Sequence, residues 1–360
     1  MTLQASGAIG LSQVNTELAL TSTATITMND TAVRTLSGTT ASSQISFTNF
    51  YGKSSYAGIA WTARTAPASA IYAATWSGTT FVAGGFSAYL YTSTTGTNGW
   101  TSNAAFRTAF ATGGNYPSVR GIATNGGSKW VVVGDYGSCA YSGDSGATWT
   151  RSTSFQTACG GSATAQSGFS VAWTGTNFVA IYRNNTTGNN TSAYSTDGNT
   201  WSVTNTFQNA AGPHYLFANG TALIIAASSG YIYYSTDNGV SWGLSANGSS
   251  PLYGAAYSPT YGTYVVAGQS EYYSSAFPSF TNYTSPFSTA IGGTAQAVCW
   301  NGTRFVAAGI NGICASSMYG SNSWQAEPNL AGKFSGNVGA MAYGNSTLIV
   351  LGDTSCASSP

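Results

Sequence analysis

Short apolar runs alternate with polar turns along most of the chain, and the runs come in pairs. ATWSGTTFVAGG, GIATNGGSKWVVVG, VAWTGTNFVAIY, YLFANGTALIIAA, AAYSPTYGTYVVAG, VCWNGTRFVAAG and MAYGNSTLIVLG each read as an apolar strand, a turn containing Gly or Asn, and a second apolar strand. Turn residues of this kind between apolar runs predict β-hairpins. The first large residue of each second strand falls at Phe81, Trp130, Phe178, Leu223, Tyr264, Phe305 and Leu348, with successive spacings of 49, 48, 45, 41, 41 and 43. That is the period of a four-stranded blade. Residues 56–360 are therefore expected to form an all-β, seven-bladed β-propeller.

A second phrase recurs after the hairpins: YSGDSGATW at 141–149, YSTDGNTW at 194–201 and YSTDNGVSW at 234–242. In each, the aspartate (Asp144, Asp197, Asp237) can accept backbone N–H groups from the next residues. Glycine supplies the positive φ of a tight turn, and the tryptophan (Trp149, Trp201, Trp242) anchors the outgoing strand. The last blade has no such fourth strand, whereas IAWTART at 59–65 matches ATWTRST at 147–153. An N-terminal strand is thus expected to complete the last blade and close the ring, leaving no open edge. In that arrangement segment 1–55 hangs from the face carrying the aspartate turns. The opposite face carries the longer connections 102–118, 152–168, 281–294 and 326–337, with the loop 182–192, and variable loops on a rigid scaffold are where binding resides.

Residues 1–55 follow another pattern. IGLS, ITMN and ISFT read as short strands ending in a polar residue that, with Asp30, could cap a following helical turn. Such a segment buries little and is expected to lean on a partner or on copies of itself.

Composition narrows the function. Charged residues make up 5% of the chain and the formal net charge is +1, so the clustered Lys and Arg of a nucleic-acid surface are missing. The opening MTLQASGAIGLS has no basic n-region and no apolar run approaches membrane-spanning length, so neither a secretory signal nor membrane insertion is expected. Five cysteines show no pairing logic. Cys139, Cys314 and Cys356 recur at one repeat position, and all five are expected to be small buried residues.

The aspartate phrase closely resembles the Asp-box of sialidase-like (BNR-repeat) propellers, where it is a fold element on the face away from the catalytic pocket. The run SGAIGLSQVNTELALTSTATITMNDTAVRTLSG, followed by ISFTNFYGKS, resembles an N-terminal module at the start of tailed-phage tail and fibre proteins. That resemblance implies a virion location, extracellular after release. It also implies docking to other tail or baseplate proteins through 1–55, and a homo-oligomer, with a trimer among the options. The propeller distantly resembles that of photosystem assembly factors as well.

A sialidase would need an arginine triad, a Tyr–Glu pair and an acid/base Asp. The propeller offers Arg64, Arg107, Arg120, Arg151, Arg183 and Arg304, with only Glu271 and Glu327 as glutamates, and the family's Arg-Ile-Pro motif is absent. Arg64, Arg151 and Arg304 sit at repeat or turn positions and read as structural. No catalytic residue is therefore assigned. The lone propeller histidine, His214, has no ligating cluster around it in the sequence, so neither metal nor cofactor is expected. The tryptophans fall at repeat positions and read as packing. Candidate platforms for a host surface glycan come from the loops: Phe86, Tyr116, Tyr136 and Tyr182, with Arg107, Arg120 and Arg183 as donors and Asp135, Glu271 and Asp353 as acceptors. Asp135 and Asp353 share a repeat position on the outward face, where they either meet a ligand or hold their own loop. The expected function is a non-catalytic receptor-binding tail protein; a structural baseplate or decoration protein and a glycosidase are the alternatives.

Overall fold

The computed structural model describes residues 3, 9–18, 23–37, 39, 44–50, 59–111, 114–160, 168–184, 189–207, 213–283, 293–321 and 324–360. Parts of the N-terminal run, of the connections 102–118, 152–168 and 281–294, and of the loop 182–192 lie outside them. The chain divides into two compact units, Met1–Ile59 and Ala60–Pro360.

The first unit holds helices α1 (Leu11–Glu17) and α2 (Thr31–Ser37) and a 3-10 turn at Phe47–Phe50. Val14, Val33, Leu36 and Phe50 are buried together, with Ile9, Ile26 and Ile45 against them. The expected strands are absent among the described residues, because Leu11 and Ser12 already belong to α1. Asp30 starts α2 through its carbonyl, which accepts from Arg34 N (2.9 Å). Its carboxylate instead turns back to Thr27, taking N–H and Oγ1 at 2.8 and 2.7 Å.

Among the described residues, the second unit holds seven four-stranded antiparallel sheets, a seven-bladed β-propeller. The inner strands are Ile71–Trp76, Val119–Thr124, Gly168–Trp173, Pro213–Asn219, Leu252–Ser258, Ala297–Trp300 and Val338–Gly344. Each second strand is apolar on both faces because blades pack on both sides of it. In the second blade Val131 and Val133 pack towards Phe178 and Tyr182 of the third. Val82 and Leu90 of the first pack on Trp130 and Val132 of the second. Fully burying one such side chain contributes about 1.5–3 kcal/mol, so the interfaces between blades are the core. The seventh sheet takes its outer strand, Thr62–Arg64, from the other end of the chain: Thr62 pairs with Ser358 and Arg64 with Cys356, and Arg64 Nε donates to Ser358 Oγ at 2.8 Å.

The outer strands of the first two blades are short, Thr101–Ser102 and Thr150–Arg151, and each runs into a helix, α3 (Ala104–Phe110) and α4 (Thr153–Ala158). These connections, expected as loops, fold because the pattern supports it. Asn103 and Ser152 accept N–H groups of Phe106 and Phe155 as N-caps, at 2.9 and 3.2 Å. Phe106, Phe110 and Phe155 then bury their rings between blades.

The aspartate turns close on themselves. In the second blade Asp144 Oδ1 accepts from Ser142 Oγ (2.8 Å) and Thr148 N (2.8 Å), and Oδ2 accepts from Thr148 Oγ1 (2.6 Å). Trp149 Nε1 donates to Gly146 O at 3.0 Å. Asp197 and Asp237 repeat this with Thr200 N (2.9 Å) and with Ser241 N and Oγ (2.9 and 2.6 Å). In the sixth blade the serine-to-glycine bond survives (Gly320 N to Ser317 Oγ, 2.9 Å), but Tyr319 stands where the aspartate would be. Cys139, Cys159, Cys314 and Cys356 are buried, while Cys299 is half-buried, a correction to its expected burial.

Candidate functional site

The inner strands carry a recurrent irregularity that the hydrophobic pattern hides. In six blades the pairing of inner and second strand skips one residue: Tyr72, Arg120, Phe169, His214, Tyr253 and Gly339. A bulge of this kind bends the strand and re-aims the extra side chain. Tyr72, Arg120 and Tyr253 come together around the mouth of the central channel, joined by Tyr215, Gln296, Met341 and Ser170. They line a cavity of about 200 Å³. At the seventh blade the bulge residue is glycine because a Cβ at Gly339 would lie 1.7 Å from Ile71 O, where first and last blades meet.

Arg120 is the only charged side chain among the described residues lining this cavity. Its Nε and NH2 groups hold the two oxygens of Asp135 at 2.9 and 3.0 Å, and its guanidinium lies 5.1 Å from the centre of the Tyr72 ring. Asp135 is held in turn by its backbone, whose N–H donates to Ser118 O at 3.0 Å. The preceding Gly134 makes this possible, since a Cβ there would sit 2.1 Å from the same carbonyl oxygen. Gln296 spends its side-chain carbonyl on Val338 N (2.8 Å), tying the sixth blade to the seventh. Tyr215 is 37% exposed, but that surface opens into the channel. Desolvation by the surrounding ring pushes its hydroxyl up to about 12, so it remains a donor at neutral pH.

The residues expected from the sequence fall into three groups. Arg120 and Asp135 meet as an ion pair beside the cavity, with Asp135 nearly buried and Arg120 half-buried, so the Asp135 carboxylate is taken up within its own blade. Arg107, on α3, lies between the rings of Tyr89 and Tyr116 at 4.5 and 4.1 Å and donates to Ser87 O, on a face where Phe86 is 58% exposed. Tyr136 follows Asp135 with φ +62° and is half-buried. Arg183 is exposed at the end of its strand, and Asp353 accepts from Asn337 Nδ2 at 3.2 Å.

The third group is a correction. Tyr182 belongs to the strand Phe178–Arg183, not to a loop, and its ring is fully buried against Phe155 at 5.6 Å, so it offers no platform. Glu271 is also buried in a strand and accepts from Trp324 Nε1 at 2.6 Å, with its other oxygen unpaired. Burial pushes its carboxyl up to about 8 despite that bond, so it is a neutral packing group and not a surface acceptor.

Sequence reading missed Tyr72, Tyr215, Tyr253 and Gln296. For Tyr72 and Tyr253 the signal was present as a repeated apolar-X-small triplet: Ile71-Tyr72-Ala73, Val119-Arg120-Gly121, Leu252-Tyr253-Gly254, Val338-Gly339-Ala340. An aromatic at X reads as core until the bulge is known.

No sequence family matches the chain, and no curated protein matches it by sequence. Solved structures do resemble it. A structure of YCF48 bound to a D1 peptide aligns with a TM-score of 0.60 and 14% identity, over 83% of this chain and 96% of that one. A GH74 xyloglucanase from Xanthomonas campestris aligns with a TM-score of 0.57 and 12% identity over 82% of this chain, which spans only 52% of that enzyme. One neighbour is a glycoside hydrolase and the other a peptide-bound propeller; at these identities what they share with this chain is the seven-bladed β-propeller itself.

Proposed function

We propose that the chain is a tailed-phage virion protein, a tail fibre or receptor-binding protein. It attaches to tail or baseplate partners through residues 1–55 and presents a non-catalytic propeller to host surface glycans. The observation that carries the binding half is the channel mouth, where Tyr72, Tyr215 and Tyr253 line a cavity together with a single arginine already neutralised by Asp135. Aromatic faces with a few fixed donors suit a hydroxyl-rich ligand. Hydrolysis of a glycosidic bond calls for two carboxyl groups flanking that bond, and no carboxylate lines the cavity among the described residues. The virion half is supported by the wording of the N-terminal run and by the charge-poor composition.

A second reading is a structural baseplate or decoration protein whose propeller grips a segment of a neighbouring virion protein. The peptide-bound propeller among its structural neighbours favours it. The two separate by experiment: the labelled full chain is incubated with a panel of bacterial cells while reducing sugar is assayed in the supernatant. Cell binding without sugar release supports the receptor reading. Absence of binding to every strain moves the assignment to the structural role, and sugar release overturns the non-catalytic one.

A further inference from the structure

We propose that the channel mouth takes one uncharged hexose unit, and that the Arg120–Asp135 pair acts as a charge filter that admits neutral sugars and turns acidic ones away. The proposal rests on the glycan-binding reading above and sharpens it. The cavity, at about 200 Å³, has room for a single sugar ring.

The filter follows from how Arg120 is spent. A guanidinium has five N–H donors, and the two bonds to Asp135 leave others for a ligand oxygen. The positive charge, however, is balanced by the Asp135 carboxylate, on a residue whose backbone N–H is fixed to Ser118 O. A ligand carboxylate reaching for Arg120 would come close to the Asp135 carboxylate on the same guanidinium, and like charges repel. A hydroxyl meets no such opposition. The Tyr72 ring 5.1 Å from the guanidinium centre packs beside it, and the Arg120 side chain remains 30% exposed while that of Asp135 is 13% exposed. The donor therefore faces the cavity while its counter-charge sits behind it. Gln296, with its carbonyl engaged by Val338, offers its amide NH2. No other charge lines the cavity among the described residues.

The test uses sugar pairs that differ only at C6: methyl glucoside, galactoside and mannoside, each beside its methyl uronide. Each is titrated into the full chain by calorimetry and ligand-observed NMR. At least one neutral glycoside should bind about tenfold or more tightly than its uronide. In Asp135→Asn, which keeps the shape and unmasks the cation, the uronide should gain about tenfold. In the double variant Arg120→Gln/Asp135→Asn that gain should vanish, and circular dichroism with thermal unfolding of each variant controls for folding. Wild-type binding of uronides as tight as that of the neutral partners overturns the filter, as does an Asp135→Asn variant that folds without gaining them. Failure of all three neutral glycosides to bind overturns the site. If cells are bound while all three fail, the receptor reading stands and this inference falls; sugar binding without cell binding gives the reverse.

Discussion

The two faces of the ring use aspartate in opposite ways. On one face Asp144, Asp197 and Asp237 take their hydrogen bonds from residues two to four positions away in the same turn. Each carboxylate is consumed where it stands. Hydrogen bonds from Thr148 and Ser142 hold Asp144 at about 2. Partial burial works against ionisation of Asp197 and Asp237, but the bonds from Thr200 and Asn199, and from Ser241 and Ser235, outweigh it and keep both low. At the channel mouth Asp135 instead reaches to Arg120, fifteen positions back in the chain and on the neighbouring inner strand. The first arrangement fixes a turn and the second fixes the charge of a cavity. One residue type thus serves the fold on one face and the electrostatics of a cavity on the other, and the difference is whether its partners are local.

That contrast breaks most severely at the glycine that seats Asp135. Gly134→Ala puts a methyl 2.1 Å from Ser118 O and 2.9 Å from the Phe110 ring, neither of which can retreat without opening the joint between blades. The expected loss is about 3 kcal/mol in denaturant unfolding. On the other face Gly143 has nothing within 4 Å of a Cβ, so Gly143→Ala should fall within about 0.5 kcal/mol of wild type. Equal effects at the two positions would erase the distinction between a packed mouth and an open turn.

The same contrast explains what was legible in the sequence. The aspartate turns and blade period could be read because their cause is local: serine, aspartate, glycine and tryptophan lie within one nonapeptide. Helix α3 could have been read from Asn103 and the Phe106–Phe110 spacing, but the blade period made it pass as a loop. The mouth could not be read, because a one-residue skip in pairing decides whether Tyr72 faces a neighbouring blade or the channel, and that skip is a tertiary fact. Tyr182 and Glu271 failed for the complementary reason. Each has a polar atom that suggests a surface, yet Tyr182 and Glu271 lie on strands sandwiched between blades, where Tyr182 Oη and Glu271 Oε2 find no partner.

A smaller effect is expected from Asp237→Ala, which frees Ser241 N and Oγ and the Ser235 hydroxyl in a turn that is otherwise solvated. Loss of such a cap costs about 1 kcal/mol. Its pH signature has a definite sign. A carboxyl depressed in the folded state contributes stability above its unfolded value near 3.8, and that contribution is lost as pH falls through the lowered folded value. Wild-type stability should therefore fall on acidification below about pH 4, and the slope should be shallower in Asp237→Ala. Sugar and cell binding should be unchanged, because the turn lies on the far face from the cavity.

A small change is also expected at Tyr136, and it bears on why the mouth is built as it is. The equivalent left-handed position is Ser87 in the first blade and Asn311 in the sixth, and of these asparagine visits positive φ at lower cost. Tyr136 holds φ +62° beside Asp135 while staying half-buried. Tyr136→Gly removes that strain but raises the entropy of the unfolded chain, so the net gain in stability should be below about 1 kcal/mol. Strained residues persist where the surroundings or the function over-determine them. If thermal unfolding of Tyr136→Gly rises slightly while neutral-sugar affinity falls, the strain belongs to the binding face, and the mouth extends beyond the bulge residues to the turn that carries Asp135. If stability falls instead, the ring is packing for that turn. In that case the binding face ends at the inner strands, with Arg120 as its outermost donor.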